Sequence, residues 1–218
     1  MFLKSAILQS SHGFFTRENS TESAVLAALG AKQFATAKQV HGDVTLVLDK
    51  PTTAEADALV TNVKGLAIGV YTADCVPVLL EDRKSGVVGV AHAGWKGARF
   101  GIIGSVIRTM ENMGAQEISA AIGPCIQQQS YEVSAEFIKV FLAEKPENNQ
   151  FFERGKLAGK YQFNLPKYVE SKLLKNGVTN IEILAEDTFS QPEKFCSYRR
   201  KTLENLTETG RQISAICL

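Results

Sequence analysis

The chain has 218 residues, of which 44% are hydrophobic and 22% charged, the balance of a globular protein able to bury a sizeable core. Lysine and arginine number 24 and the acidic residues 23, so the net charge of +1 provides no general attraction to nucleic acid or to an anionic membrane. No secretory signal, apolar run of about 20 residues or disulfide pattern among the four cysteines is visible, so we expect a cytoplasmic protein.

Apolar periodicity and capping residues predict a series of helices and strands. In chain order they are a helix at 21–29, strands at 44–48, 58–60, 66–71, 76–80 and 87–91, a helix at 98–113, a strand at 118–122, helices at 134–144 and 165–176, and strands at 181–184 and 212–217. Ser20 is the expected N-cap of the first helix, and the polar stretch 145–160 is the expected long loop. Short connections between the four strands from 58 to 91 predict hairpins or a meander in a mixed or antiparallel central sheet.

Three residues with metal-binding side chains lie at predicted strand ends. His41 stands just before a strand, His92 just after one, and Cys75 in the turn between two apolar strands. A thiolate and two neutral imidazoles are ligands that Zn²⁺ prefers, and three protein ligands leave the fourth position open for catalysis. These residue types therefore favour a catalytic zinc site, against the alternative that each is an ordinary packed or polar side chain.

Several charged residues near these turns are candidates for substrate binding. Lys96 lies in a glycine-rich turn that leads into a helix, and such a turn favours an anion such as phosphate. The alternative is a tight turn that binds no ligand. Arg17 and Arg199 lie near aromatic residues, and their forked guanidinium groups suit phosphate or carboxylate, although surface salt bridges are the ordinary alternative. Asp74, beside Cys75, could act as acid and base or orient a ligand. Trp95 could stack on a base or anchor the core.

Nine short motifs occur in order along nearly the whole chain: HGFFTR (12–17), QVHG (39–42), ADALVT (56–61), TADCVPVLL (72–80), AHAGWKG (91–97), IGPCI (122–126), YEV (131–133), SYRR (197–200) and TGR (209–211). In this order they resemble the laccase-domain family, which is also called polyphenol oxidase-like, peptidoglycan editing factor and multi-activity purine nucleoside phosphorylase. TADC followed by HAGW is highly specific to it.

The resemblance implies a single domain over residues 1–218 with a mixed α/β fold of packed mixed sheets flanked by helices, the CNF1/YfiH-like cysteine-hydrolase-type fold. It also implies catalytic zinc at the positions matching His41, Cys75 and His92. The implied activity is phosphorolysis of adenosine, inosine and S-methyl-5′-thioadenosine, together with adenosine deamination. The expected partners are therefore small molecules, a nucleoside and phosphate, held by Arg17, Asp74, Lys96 and Arg199.

The chain departs from the family pattern at three places. Lys96 stands where arginine is more common, and lysine cannot form a bidentate contact with phosphate. Residues 127–129 are three glutamines where the family usually has a glycine, and the segment 201–208 is longer than expected. The proposed zinc ligands are unaffected, so these departures bear on substrate preference.

Three other functions use the same residues. Two histidines and a cysteine could bind copper in a polyphenol oxidase, but Met110 and Met113 lie on a predicted helix and a multicopper laccase needs more than three imidazoles. Cys75 could instead be the nucleophile of an amidohydrolase that edits peptidoglycan precursors, with His92 as its base. The remaining possibility is a non-enzymatic module that binds purines.

Overall fold

The computed structural model describes residues 1–207 and 210–218; Glu208 and Thr209, which end the segment 201–208 and begin the TGR motif, lie outside the described residues. The strands are β1 (Phe2–Leu3), β2 (Ser11–Phe15), β3 (Gln33–Ala35), β4 (Thr45–Val47), β5 (Ala58–Thr61), β6 (Leu66–Thr72), β7 (Val76–Asp82), β8 (Val87–Ala93), β9 (Ser119–Ile122), β10 (Glu132–Ser134), β11 (Phe152–Arg154), β12 (Lys160–Phe163), β13 (Asn180–Ile183) and β14 (Gln212–Cys217). The helices are α1 (Glu22–Leu29), α2 (Trp95–Phe100), α3 (Ile102–Asn112), α4 (Ala135–Leu142), α5 (Leu165–Lys175) and α6 (Tyr198–Glu204).

Two large mixed sheets pack face to face and carry helices on their outer faces. Their strand orders are β1-β2-β14-β6-β3 and β13-β9-β7-β8-β5-β4, and β10-β12-β11 form a smaller antiparallel sheet. In the six-stranded sheet the β4–β5 and β9–β13 pairs are parallel and the others antiparallel. The prediction of a mixed α/β fold with a mixed central sheet is therefore confirmed.

Apolar side chains fill three interfaces between these layers. Ile68, Leu79 and Val90 belong to the cluster between the two large sheets. A larger cluster lies between the six-stranded sheet and α3, α4 and α5, while α1 packs on the five-stranded sheet. The central strands β6, β7 and β8 are therefore buried on both faces, which explains why they read as continuous apolar runs.

Of the hairpins or meander predicted between residues 58 and 91, one hairpin forms, and the meander is wrong. β6 pairs with β14 and β3 in the five-stranded sheet, and β5 pairs with β8, so only β7 and β8 form a hairpin. Strands buried on both faces show no alternation of apolar and polar residues that could indicate which sheet they join. The prediction of hairpins therefore rests on the short connections alone. The chain instead crosses between the sheets twice, and the second crossing carries Cys75.

Helix boundaries differ from the prediction where local backbone geometry decides them. The predicted helix 98–113 begins earlier, at Trp95, and is divided at Gly101, whose φ of 114° only glycine adopts readily. Thr21 rather than Ser20 caps α1, and it accepts a hydrogen bond from the Ala24 N–H. The expected loop 145–160 contains β11, which pairs with β12. Within the described residues, no helix is both long and apolar enough to cross a membrane.

Asp82, the last residue of β7, is a buried carboxylate that ties the β7–β8 hairpin to the segment before β9. It accepts hydrogen bonds from the backbone N–H groups of Lys84 and Ser85 at 2.9 and 3.3 Å, and of Gln116 and Glu117 at 2.6 and 3.1 Å. Burial raises the pKa of Asp82, but the four donors outweigh burial and hold that pKa below its ordinary value of 3.8.

Asp82→Asn is expected to lower the free energy of unfolding by about 2 kcal/mol at pH 7, because an amide nitrogen then faces N–H groups. Since folding lowers the pKa, the carboxylate contributes fully above the ordinary value of 3.8 and loses its contribution as pH falls through the folded-state pKa. The difference between the two proteins should therefore shrink in acid. Urea unfolding at several pH values measures it, with the exposed Asp49→Asn as control; a pH-independent difference would contradict the prediction.

Candidate metal centre

The structure brings together the three residues that the sequence singles out as metal ligands. One ligand atom from each of His41, Cys75 and His92 lies within 4.8 Å of the others. His41 Nε2 is 4.0 Å from Cys75 Sγ, and the two imidazole rings meet edge to face with centroids 4.8 Å apart. These side chains could hold a metal ion; that they do so stays a prediction.

Each of the three side chains comes from a different part of the two-sheet framework. His92 is the penultimate residue of β8 and is buried, while Cys75 lies in the crossing between β6 and β7 and is half-buried. His41 is exposed, in the segment between β3 and β4, with a φ of 61°. A non-glycine residue adopts this left-handed backbone conformation at a cost, so other contacts must hold the loop of His41 in place.

Asp57 supplies those contacts. Its buried carboxylate accepts hydrogen bonds from the backbone N–H groups of Val40, His41 and Gly42 at 3.1, 3.0 and 2.8 Å. The same carboxylate accepts a hydrogen bond from His92 Nδ1 at 2.7 Å, which leaves His92 Nε2 available to a metal. Burial raises the pKa of Asp57, but His92 and the backbone donors outweigh burial and lower it.

Asp57 is a site residue that the sequence analysis does not predict. It lies in the ADALVT motif, directly before the entirely buried strand β5, and its own exposed fraction is 1%. An acidic residue at the start of such an apolar run is the signal that points to it, because a buried carboxylate needs hydrogen-bond donors.

The arrangement fits a tetrahedral ion such as zinc. Zinc–sulfur and zinc–nitrogen bonds of ordinary length place their ligand atoms roughly 3.3–3.6 Å apart. The separations here, up to 4.8 Å, are wider by roughly 1 Å, so a bound ion would have to draw the three side chains together. The histidine oriented by a carboxylate is a common feature of zinc centres.

The Cys75 thiolate and the His92 imidazolium stabilise each other's charge. Burial raises the pKa of the Cys75 thiol, but the charge of His92 and hydrogen bonds from both histidines lower it to about 7. Burial lowers the pKa of His92, while the Cys75 thiolate and the Asp57 carboxylate raise it to about 9. Metal binding requires a thiolate and a neutral imidazole, so a divalent ion would take the place of the imidazolium proton.

The cluster opens into a pocket of about 800 Å³, a volume suited to a small molecule. Its lining includes seven aromatic or basic side chains: Tyr71, Trp95, Lys96, Tyr131, Tyr198, Arg199 and Arg211. Trp95 lines the pocket and also packs edge-on against Phe137, with ring centroids 4.9 Å apart. Both roles suggested by the sequence for this tryptophan, anchoring the core and stacking on a base, are therefore compatible with its position.

The four predicted substrate-binding residues do not all reach this pocket. Lys96, Arg199 and Asp74 line it. Arg17 does not: its guanidinium is exposed and donates to the Pro192 carbonyl at 2.8 Å. Arg211, which the sequence indicates only as part of the TGR motif, lines the pocket instead.

Asp74 has its carboxylate occupied by protein donors. It accepts hydrogen bonds from Thr188 Oγ1 at 2.7 Å, Ser197 Oγ at 3.0 Å and the Arg199 backbone N–H at 2.6 Å. Burial raises the pKa of Asp74, against the lowering effect of these three bonds. Because Ser197 and Arg199 begin α6, this arrangement favours a role in holding the α6 wall of the pocket beside Cys75 over a role as acid and base.

Gly94 leaves room for the ligands. A Cβ atom at this position would lie 2.9 Å from Cys75 Sγ and 3.1 Å from His41 Cδ2. The φ of Gly94 is −64°, so alanine meets no backbone strain there. Any defect of Gly94→Ala must therefore come from crowding of the two ligand side chains.

Gly94→Ala is expected to weaken zinc binding by about tenfold or more, since overpacking typically costs about 1–3 kcal/mol. Competition with a chromophoric chelator measures the affinity. Gly42→Ala is the matched control, because its Cβ would meet nothing closer than 3.6 Å. Equal zinc affinity in the two variants would contradict the prediction.

The methionines offer no axial copper ligand to the pocket. Met110 is buried on α3 in the cluster that covers β8, and neither it nor Met113 is among the described residues that line the pocket. Met1 is exposed at the chain start and does not line the pocket either. A blue-copper site with a thioether ligand therefore has no support from the described side chains.

Comparison with known proteins places these observations in a family. The model of the family described as multi-copper polyphenol oxidoreductase laccase matches residues 16–218. A purine nucleoside phosphorylase of Rickettsia conorii is 38% identical over 201 residues, 88% of this chain and 84% of that protein. The adenosine deaminase RL5 of an unknown prokaryotic organism is 38% identical over 148 residues, 66% of this chain and 56% of that protein.

Solved structures share the fold. The crystal structure of the Bacillus licheniformis hypothetical protein YfiH matches with a TM-score of 0.83 and 27% identity, over 95% of this chain and 92% of that one. The expected YfiH-like fold is thereby confirmed. Since the family model covers nearly every residue, the chain belongs to the multi-copper polyphenol oxidoreductase laccase family.

Proposed function

We propose that this protein is a zinc-dependent purine nucleoside phosphorylase, acting on adenosine, inosine and S-methyl-5′-thioadenosine, that also deaminates adenosine. The observation that carries the proposal is the His41–Cys75–His92 cluster in the lining of a pocket with aromatic and basic walls. The names of the relatives, purine nucleoside phosphorylase and adenosine deaminase, support both reactions.

In phosphorolysis, an oxygen of hydrogen phosphate forms a bond to C1′ of the ribose. The bond from C1′ to the purine nitrogen breaks, its electron pair stays with the purine, and the proton of the phosphate passes to that purine. Lys96 and Arg199 offer positive charge to the phosphate, and the aromatic side chains offer surfaces for the base. Nothing is oxidised or reduced.

In deamination, water supplies the oxygen that replaces the amino group at C6 of adenosine, and ammonia leaves. His41, Cys75 and His92 would hold zinc, which supplies a Lewis acid with an open coordination position. Asp57 fixes the ring of His92 and the backbone of His41, so these two parts of the site are held in place before substrate binds.

The test incubates adenosine with the purified protein, with and without phosphate, after elemental analysis of the metal content. Chromatography should give adenine only when phosphate is present, inosine in both conditions, and hypoxanthine where both reactions occur. Samples stripped by a chelator and reloaded with zinc or with copper are the controls. Turnover by metal-free protein, or covalent acyl capture at Cys75, would contradict the proposal; phenol oxidation with a strong visible band after copper loading would favour an oxidase.

A further inference from the structure

Three cations line the pocket beside the candidate metal centre. In the part of the chain that the structure describes, Lys96, Arg199 and Arg211 form no ion pair with a carboxylate. Each lies over an aromatic ring, which serves as its platform: Lys96 over Trp95, Arg199 over Tyr131 and Arg211 over Tyr71, at 5.6, 5.3 and 5.2 Å from the ring centroids. Stacking holds a cation in place and leaves its charge available to a ligand.

Both arginines are anchored to the segment that bears Cys75. The Arg199 N–H donates to the Asp74 carboxylate at 2.6 Å. Arg211 directly precedes β14, whose first residue pairs with Thr72, so Arg211 lies beside the crossing from 73 to 75. The two guanidinium groups therefore reach the pocket from backbone positions next to Cys75.

The aromatic platform under Arg211 is fixed at both of its main-chain polar groups. Gln39 accepts a hydrogen bond from the Tyr71 N–H at 2.8 Å and donates one to the Tyr71 carbonyl, also at 2.8 Å. Because Gln39 lies two residues before His41, this side-chain bridge also joins the His41 segment to β6. Arg211 thus rests on a rigid surface adjoining the metal centre.

The described residues that line the pocket carry an excess of positive charge. Among its described lining residues the one carboxylate is Asp74, and three protein donors already occupy it. A guanidinium offers two parallel N–H groups to one phosphate, whereas the ammonium of Lys96 offers only a point charge. Bidentate recognition of an anion must therefore come from Arg199 and Arg211.

We propose that Arg211 and Arg199 together bind the phosphate co-substrate, with Arg211 taking the role that the sequence suggests for Arg17. This inference rests on the proposed phosphorylase function and adds the anion-binding residues to it. The phosphate would lie where the two guanidinium groups, stacked on Tyr71 and Tyr131, line the pocket.

The first test compares Arg211→Gln and Arg211→Lys with the matched control Arg17→Gln. Arg211→Gln is expected to raise the KM for phosphate about tenfold or more and to raise the ratio of deamination to phosphorolysis. Arg211→Lys keeps the charge and loses the fork, so its KM should be intermediate. Arg17→Gln should match the wild-type protein, and an equal phosphate KM in Arg17→Gln and Arg211→Gln would overturn the inference.

A second test reads phosphate binding without turnover. Trp95 is the only tryptophan and lines the same pocket, so its fluorescence can follow a titration with inorganic phosphate. Saturable binding by the wild-type protein that weakens in Arg211→Gln supports the inference, and no binding by the wild type overturns it. Wild-type protein that binds phosphate but leaves adenosine intact would refute the phosphorylase function and leave the anion site standing.

Discussion

Cys75→Ala is expected to remove both the bound zinc and all detectable turnover of adenosine. Zinc would lose its only thiolate, and the two imidazoles that remain, one of them exposed, make a poor site. Loss of the activated centre should reduce phosphorolysis and deamination together, by about a thousandfold or more. Elemental analysis and chromatography of the products measure the two effects.

Thermal unfolding distinguishes loss of the metal from loss of the fold. An ion that binds only the folded chain raises its melting temperature, so a chelator should lower the melting temperature of the wild type and leave that of Cys75→Ala unchanged. Cys217→Ala is the matched control, since Cys217 is buried on β14 outside the pocket lining. It should retain zinc and activity. A Cys75→Ala protein with stoichiometric zinc and full turnover would contradict the proposed function.

The sequence predicts most elements because their signals are local. Asn164 caps α5 and Gly177 follows its end with a φ of 84°, as their positions indicate. β14 has the predicted bounds, Gln212–Cys217. The pairing of β6 with β14 is not local, because both strands are almost entirely buried and 140 to 148 positions separate the paired residues, from Gln212 and Thr72 to Ile216 and Ile68.

Some residues of the candidate site can likewise be predicted from local sequence, and others depend on the pairing of distant strands. The types of side chain and their positions at strand ends indicate His41, Cys75 and His92, since the chain has only three histidines and four cysteines. Asp57 and Arg211 act through contacts that depend on the sheets. Asp57 meets His92 because β5 pairs with β8, and Arg211 reaches the pocket because β14 pairs with β6.

Asp57→Asn is expected to weaken zinc binding about 10–100-fold and to lower the free energy of unfolding of the metal-free protein by roughly 2–5 kcal/mol. An amide has one acceptor oxygen where the carboxylate has two. Its NH₂ group would face either His92 and the His41 N–H or the N–H groups of Val40 and Gly42. Zinc competition and urea unfolding measure the two effects.

Asp43→Asn provides the matched control, because it removes the same charge at an exposed position in the loop that carries His41. Its effect on unfolding should stay within about 0.5 kcal/mol. If Asp57 acts only through net charge, the two variants will lose zinc affinity equally, and the role assigned to it is wrong. If it acts by orienting His92 and holding His41 at its φ of 61°, only Asp57→Asn will lose affinity, because only that variant disturbs both ligands at once.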